Sequence, residues 1–136
     1  MILIDSNILI DALEPESLHH GWSLDRLTNS LRRGAFINTI VASEISPRFL
    51  TLEDLAITLE SLAIPVRDLT LSAAWLAGRA YLTWIRNGGR RGTILPDILI
   101  GAHASSENAS VLTRDPRRFR TYFPELELIT PETHDD

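Results

Sequence analysis

Four carboxylates in this chain stand at or shortly after strand ends and helix entrances: Asp5 and Asp115 follow apolar strands, Asp97 stands at a helix start, and Glu44 lies on a short helix just after a strand. Asp5 closes the apolar opening "MILI" and is followed at once by Ser6 and Asn7. Asp115 follows "ASVLTR", with Thr113 two residues before it; Glu44 lies in "NTIVASEIS", and Asp97 comes after Pro96 in "LPDILIGAHA". Singly, each has an ordinary structural role. Asp5 and Asp115 suit helix N-caps, Asp97 complements a helix dipole, and Glu44 fits the outward face of a short helix. Jointly they offer different chemistry. Several like charges drawn close repel, and burying them unpaired is costly. A hard divalent cation such as Mg²⁺ or Mn²⁺ resolves the repulsion, binding one or two carboxylates plus waters and leaving room for a phosphate. Such a centre can activate water and stabilise charge on a scissile phosphate.

The elements that must position these groups are legible from periodicity. Residues 2–5 read as a buried strand, and Ile8, Leu9, Ala12 and Leu13 continue at helical spacing. A helix is expected over about 18–33, ended by Gly34. "AFIN" reads as a strand, with Thr39 capping a short helix closed by Pro47. Thr51 and Asp54 resemble a capping box opening a helix to about Leu62, and "IPV" is a candidate strand. Thr70 caps a long helix ended by Gly88-Gly89, and Pro96 opens another to about Asn108. "ASVLT" and "ELELIT" read as strands, with a helical turn from Pro116 between them. Strands alternating with helices imply an α/β fold with a mainly parallel sheet, whose ligands bind outside the carboxyl ends of the strands. If the strand after Asn108 pairs beside the first, all four carboxylates converge. One domain is expected over residues 1–131, with residues 132–136 a polar, frayed tail.

Composition narrows the alternatives. Of 136 residues, 44% are hydrophobic and 23% charged, ordinary for a globular chain, and the absence of cysteine removes disulfides, thiolate metal sites and a cysteine nucleophile. No apolar run suggests a membrane span, and Asp5 and Asp11 interrupt any signal-peptide pattern, so a cytoplasmic protein is expected. The net charge of −5 is unusual for a nucleic-acid protein, but all thirteen basic residues are Arg. Arg86, Arg90 and Arg91 flank "NGG", while Arg114, Arg117, Arg118 and Arg120 crowd "TRDPRRFRTYF". By charge pattern alone these clusters read as solvated surface. There is no glycine-rich phosphate loop, and Asp5-Ser6-Asn7 lacks the second Asp of an Asp-x-Asp phosphatase. A phospho-acceptor domain would want paired acids after the first strand and a Lys, and this chain has neither. His19, His20, His103 and His134 share no helical face and read as structural or surface residues.

"ILIDSNILIDAL", "NTIVASEI", "LPDILIGAHA" and "VLTRDPRRF…FPELELITP", in this order and over residues 2–131, resemble a PIN domain, and more closely the VapC-type toxins of VapBC toxin–antitoxin systems. The resemblance implies a three-layer α/β/α fold and a Mg²⁺- or Mn²⁺-dependent endoribonuclease. Asp5, Glu44, Asp97 and Asp115 match the family's acidic quartet, with Asp5, Asp97 and Asp115 as metal ligands and Ser6, Asn7 and Thr113 as supporting groups. Many relatives carry Asn at the position of Asp115 and place the last acid further on. Here that stretch is Arg117-Arg118-Phe119, so Asp115 must serve. Arg114 and Arg117 are candidates for holding the RNA backbone. The resemblance also implies a homodimer and a hetero-oligomer with a VapB-type antitoxin. The Thr70 helix, with Leu71, Trp75, Leu82 and Ile85 on one side and Leu76, Tyr81 and Trp84 elsewhere, is apolar over more than one core-facing stripe, so it is expected near the dimer interface or the partner groove, or else deeply packed. On that reading Trp22 and Trp84 either face the antitoxin peptide or belong to the core. A non-catalytic, RNA-binding or regulatory PIN-like domain is the alternative.

Overall fold

The computed structural model describes residues 1–90 and 94–134, so Arg91 and the last two residues of the expected tail lie outside the described residues. Five short strands form one parallel sheet: β1 (Ile2–Ile4), β2 (Ala35–Asn38), β3 (Val66–Arg67), β4 (Ser110–Leu112) and β5 (Leu128–Ile129), in the order β3-β2-β1-β4-β5. Seven helices cover it among the described residues: α1 (Ser6–Leu13), α2 (His20–Arg33), α3 (Thr39–Ile45), α4 (Leu52–Ser61), α5 (Leu71–Arg86), α6 (Leu95–Ser106) and α7 (Arg117–Tyr122). This is the expected three-layer α/β/α architecture. None of these helices is long and apolar enough to cross a membrane.

β1 is central and β4 pairs directly with it, Ile2 opposite Ser110 and Ile4 opposite Leu112. The chain runs outward from β1 through β2 to β3 on one side, and through β4 to β5 on the other. The carboxyl ends of β1 and β4 therefore meet where the winding reverses, the place where open parallel sheets bind ligands. Every residue of β1 and β2 is buried. That is why "ILI" and "AFIN" show no alternation: both faces of a parallel sheet are covered by helices.

Caps set the helix starts. Thr51 Oγ1 accepts from Asp54 N at 3.0 Å and Thr70 Oγ1 from Ala73 N at 3.1 Å, as the sequence suggests. The short third helix is capped one residue earlier than expected. Asn38, not Thr39, is its N-cap, its Oδ1 accepting from Val41 N at 2.9 Å. α2 begins at His20 rather than at residue 18. Asp115 does not cap α7; Pro116 stands at that position, with no side-chain cap. The C-terminal tail is tied down as far as His134, whose carbonyl accepts from Trp22 Nε1 at 2.7 Å, while Thr130 Oγ1 accepts from Glu132 N. Trp22 is half-buried and packs against the main core.

Two apolar clusters carry the stability. The larger is built on the strands with α1, α2 and α3; the smaller gathers Ala77, Ile94, Ile98, Ala102 and Phe123 between α5, α6 and α7. Gly101 lets α7 approach α6: a Cβ there would lie 2.5 Å from Phe123 Cδ2 and 3.2 Å from Phe119 Cδ1. Gly101→Ala is expected to cost about 1–3 kcal/mol by overpacking. Gly78→Ala, on α5 with nothing within 4 Å, should stabilise by roughly 0.5–1 kcal/mol. Urea midpoints of the two variants check this, and equal midpoints would contradict the packing described.

Candidate active site

Asp5 is the first residue beyond β1 and the N-cap of α1, and only 5% exposed. Its backbone N–H donates to Leu112 O at 2.9 Å, which locks it to the end of β4. Oδ1 accepts from Ser6 N at 2.8 Å; Oδ2 accepts from Thr113 Oγ1 at 2.8 Å and Asn7 Nδ2 at 3.3 Å. Thr113 spends its one hydroxyl proton on Asp5 and in turn accepts from Asp115 N at 3.1 Å. Asn7 completes the fastening by accepting from Arg114 N at 3.2 Å. The three supporting residues expected from sequence are thus all placed around Asp5: Asn7 and Thr113 hold its carboxylate with their side chains, and Ser6 with its backbone.

The electrostatics identify its neighbours. Burial pushes the Asp5 carboxyl up from 3.8 to about 6, against the hydrogen bonds from Thr113 and Ser6, and the charges of Asp97 and Glu44 push it further. Glu44, in the last turn of α3, is likewise raised, first by burial and then by Asp97, with a hydrogen bond from the Ser6 side chain acting in the opposite direction. Its Oε1 is buried without a hydrogen-bond partner among the described residues. Asp5 thus feels the charges of Asp97 and Glu44, and Glu44 feels that of Asp97. Asp97, in the first turn of α6, pairs with Arg118 at 3.0 Å. Asp115 stands further out, its side chain 56% exposed and paired with Arg117 at 3.3 Å. It lines one cleft with Asp97, Arg117, Arg118 and Trp84, and of the other three acids only Asp97 is among the cleft's lining residues.

Arg114 has a different occupation. Its Nε donates to Asp11 Oδ2 at 2.6 Å and its Nη2 to Asp11 Oδ1 at 3.3 Å. Asp11 is 3% exposed and also accepts from Ser17 and Ser23 at 3.0 Å. Burial works to raise the Asp11 carboxyl, but the hydrogen bonds and charge of Arg114, with the two serines, hold it below the usual range. This pair fastens the loop after β4 to α1 and keeps Thr113 beside Asp5. Sequence reasoning passed over Asp11 as a site-positioning residue. The signal was present: Asp11 lies four residues after Asn7 and so on the same face of α1. His103, fully buried, places its Nδ1 3.1 Å from Asn38 Nδ2 and so ties α6 to the end of β2, the structural role expected of it.

The donor set fits a hard divalent cation. Its candidate donors are carboxylate oxygens, the charges of Asp97 and Glu44 act on Asp5, and one buried Glu44 oxygen has no hydrogen-bond partner among the described residues. Among the described residues, however, no three such groups are gathered tightly enough to hold an ion as they stand. Asp97 and Asp115 are turned toward arginines instead.

The model of the PIN domain matches residues 2–124, nine-tenths of the chain. The chain belongs to the PIN domain family. No curated protein sequence matches it. Among solved structures, it is similar to a chain of VapBC2 from Rickettsia felis bound to promoter DNA, with 22% identity, 96% of this chain and 98% of that chain covered, and a TM-score of 0.67. It is similar to a chain of DNA-bound VapBC from Salmonella typhimurium, with 22% identity, 95% and 96% coverage and a TM-score of 0.68. VapBC-1 of nontypeable Haemophilus influenzae gives 18%, 96%, 98% and 0.68. At these identities the likeness shows a shared fold across the whole length of each chain.

The raised Asp5 carboxyl has a consequence for stability in metal-free solution. The folded state holds the Asp5 proton more tightly than the unfolded chain does, so this group stabilises below about pH 4 and loses that contribution as pH rises through about 6. Asp5→Asn removes the titration. In EDTA at pH 7.5 the variant should be more stable than the parent by about 1–3 kcal/mol, the gap closing as pH falls from 6 toward 4. Parallel stability-versus-pH curves from denaturant titrations would show that Asp5 is not the strained carboxylate.

Proposed function

We propose that this PIN domain is a VapC-type toxin: a divalent-metal-dependent endoribonuclease of the cytoplasm, held in check by a VapB-type antitoxin. The observation that carries the reading is the convergence of Asp5, Glu44 and Asp97 at the carboxyl ends of the central strands, with Asp5 kept buried at a free-energy cost. Family membership and the fold shared with VapBC complexes support it.

Asp5 and Asp97, with Asp115 at the rim, would hold Mg²⁺ or Mn²⁺; Asp115 can act directly or through a bridging water. A bound ion would supply water activation and neutralise charge on the scissile phosphate. The protein's own part is orientation. Thr113, Asn7 and the Ser6 N–H fix the Asp5 carboxylate, and the unpartnered Glu44 oxygen is available to accept a proton from attacking water. Arg117 and Arg118 line the cleft and can pair with phosphate oxygens. Arg114, its guanidinium engaged by Asp11, acts on substrate only through the loop it anchors.

A second reading draws on the Arg118–Asp97 and Arg117–Asp115 pairs: with both acids satisfied, the chain would bind RNA without turnover. Bulk RNA incubated with and without Mg²⁺ separates the two. Under the first reading cleavage requires metal, and Asp5→Asn or Asp97→Asn lowers it on the order of 100-fold or more while the far-ultraviolet spectrum is kept. Mn²⁺ at about 100 times its dissociation constant should also stabilise the parent by roughly 2.7 kcal/mol, a rise of several degrees in melting temperature. Metal-independent cleavage, or melting curves that coincide in EDTA and Mn²⁺, would remove the metal from the proposal.

The partners follow from surface chemistry. α5 exposes Leu71, Trp75 and Leu82, with relative exposures of 88%, 61% and 41%, which supports a homodimer with this helix near the interface. A cluster of carboxylates also suits an Arg or Lys on an extended antitoxin segment. Light scattering of the chain at high micromolar concentration should give the mass of two copies, and Trp75→Glu the mass of one. A C-terminal antitoxin peptide should inhibit less as Mn²⁺ rises; a parent that stays monomeric, or inhibition indifferent to metal, counts against these assignments.

A further inference from the structure

The cleft of about 490 Å³ that holds Asp97, Asp115, Arg117 and Arg118 has one wall made by a tryptophan, Trp84, from the last turns of α5. This half-buried ring packs against the smaller apolar cluster and is fixed by three further contacts. The Gly89 backbone lies flat against it: a Cβ on Gly89 would stand 2.1 Å from Trp84 Cε2 and 2.3 Å from Cδ2. The indole N–H is already given to Arg90 O at 3.0 Å. Tyr122 packs edge-on, with centroids 6.2 Å apart and planes at 73°. Only glycine at position 89 permits this placement, so the backbone bends to seat the ring. What the indole has left to present to the cleft is aromatic surface, since its one polar atom is satisfied by the chain itself.

We infer that Trp84 is a base-stacking platform for a nucleotide of single-stranded RNA lying beside the bond to be cut. The inference rests on the ribonuclease reading and adds a specificity element to it. A stacked base needs a rigid π surface next to cations that accept its phosphate, and Trp84, Arg117 and Arg118 line one wall-to-wall cleft. Stacking without a hydrogen bond from the indole is tolerant of base identity. It does require an unpaired base, because a base inside a duplex presents no free face. The arrangement therefore selects loops and single strands over duplex RNA. Trp75, exposed on the same helix but outside the cleft residues, does not share this role.

The test uses the full chain carrying Asp5→Asn, in EDTA, so that binding is read without cleavage. The probe is a labelled single strand of about 12 nucleotides spanning a bond that the unmutated chain cuts. Trp84→Phe should bind within about 2-fold of the parent, and Trp84→Ala should bind about 10- to 100-fold more weakly. An abasic scan of the probe on the unmutated ring should find one position with the same loss, and Trp84→Ala should suffer no further loss there. The scan keeps the test decisive even if Trp84→Ala unfolds. Equal binding by Trp84→Ala, or an abasic scan with no sensitive position, overturns the assignment. So does a Trp84→Ala chain that keeps its RNA affinity but no longer binds an antitoxin peptide, which would make the indole a protein contact. RNA cleavage by wild type with unchanged KM in Trp84→Ala defeats this inference and leaves the ribonuclease reading standing; no cleavage or binding of RNA by wild type defeats both.

Discussion

A carboxylate at the end of a buried strand is the constraint on which the rest of this molecule turns. Asp5 is almost without solvent, and burial raises its carboxyl to about 6. A fold has two ways to tolerate such a group: neutralise it with a cation, or surround it with donors. This one supplies donors from three directions, the Ser6 N–H, the Asn7 amide and the Thr113 hydroxyl, yet still leaves it raised. Burial together with the like charges of Asp97 and Glu44 outweighs what the donors contribute. A carboxyl left in that condition is relieved by taking up a proton or, on the proposed reading, by a bound cation.

Holding the group there demands agreement among elements far apart in sequence. β4 must lie beside β1 so that Leu112 O meets the Asp5 N–H and Thr113 reaches Oδ2. The buried Asp11–Arg114 pair secures the same loop from the other side, at a cost in desolvation that the two serines and the guanidinium together offset. Asn38 caps the helix that carries Glu44 while its amide meets His103 on the helix that begins beside Asp97. The polar interior of this protein is thus a brace between α1, α3, α6 and the sheet, centred on the carboxylates.

Much of this was legible in the sequence, because the signals were local. Unbroken apolar runs gave the strands, Thr51 and Thr70 gave two helix starts, and Asp5, Asp97 and Asp115 fell at a strand end or helix entrance, with Glu44 on a short helix just after a strand. The pairing of β4 with β1 was the one long-range condition, and the alternation of strands and helices made it natural. What escaped was side-chain choice among competing partners. Asn38 and Thr39 are both good caps, and the full burial of Asn38 together with its bond to His103 decides between them. Arg114 and Arg117 look alike in "TRDPRRF", but only Arg114 is within reach of Asp11. Trp22 and Trp84 were equivalent by pattern, and the tail folding back over Trp22 and Gly89 seating Trp84 are contacts no periodicity encodes.

The arginines give the cleft its last property. For the proposed ribonuclease, a net charge of −5 calls for local compensation, and Arg117 and Arg118 stand where Asp115 and Asp97 would otherwise repel phosphate. Both pairs are substantially exposed, so each is worth little as a fixed bond and exchanges readily. On the proposed reading, a cation held by the carboxylates would compete with the guanidiniums for them, and freed guanidiniums are the donors that a phosphate wants. Cation binding and substrate binding would then favour one another across this cleft.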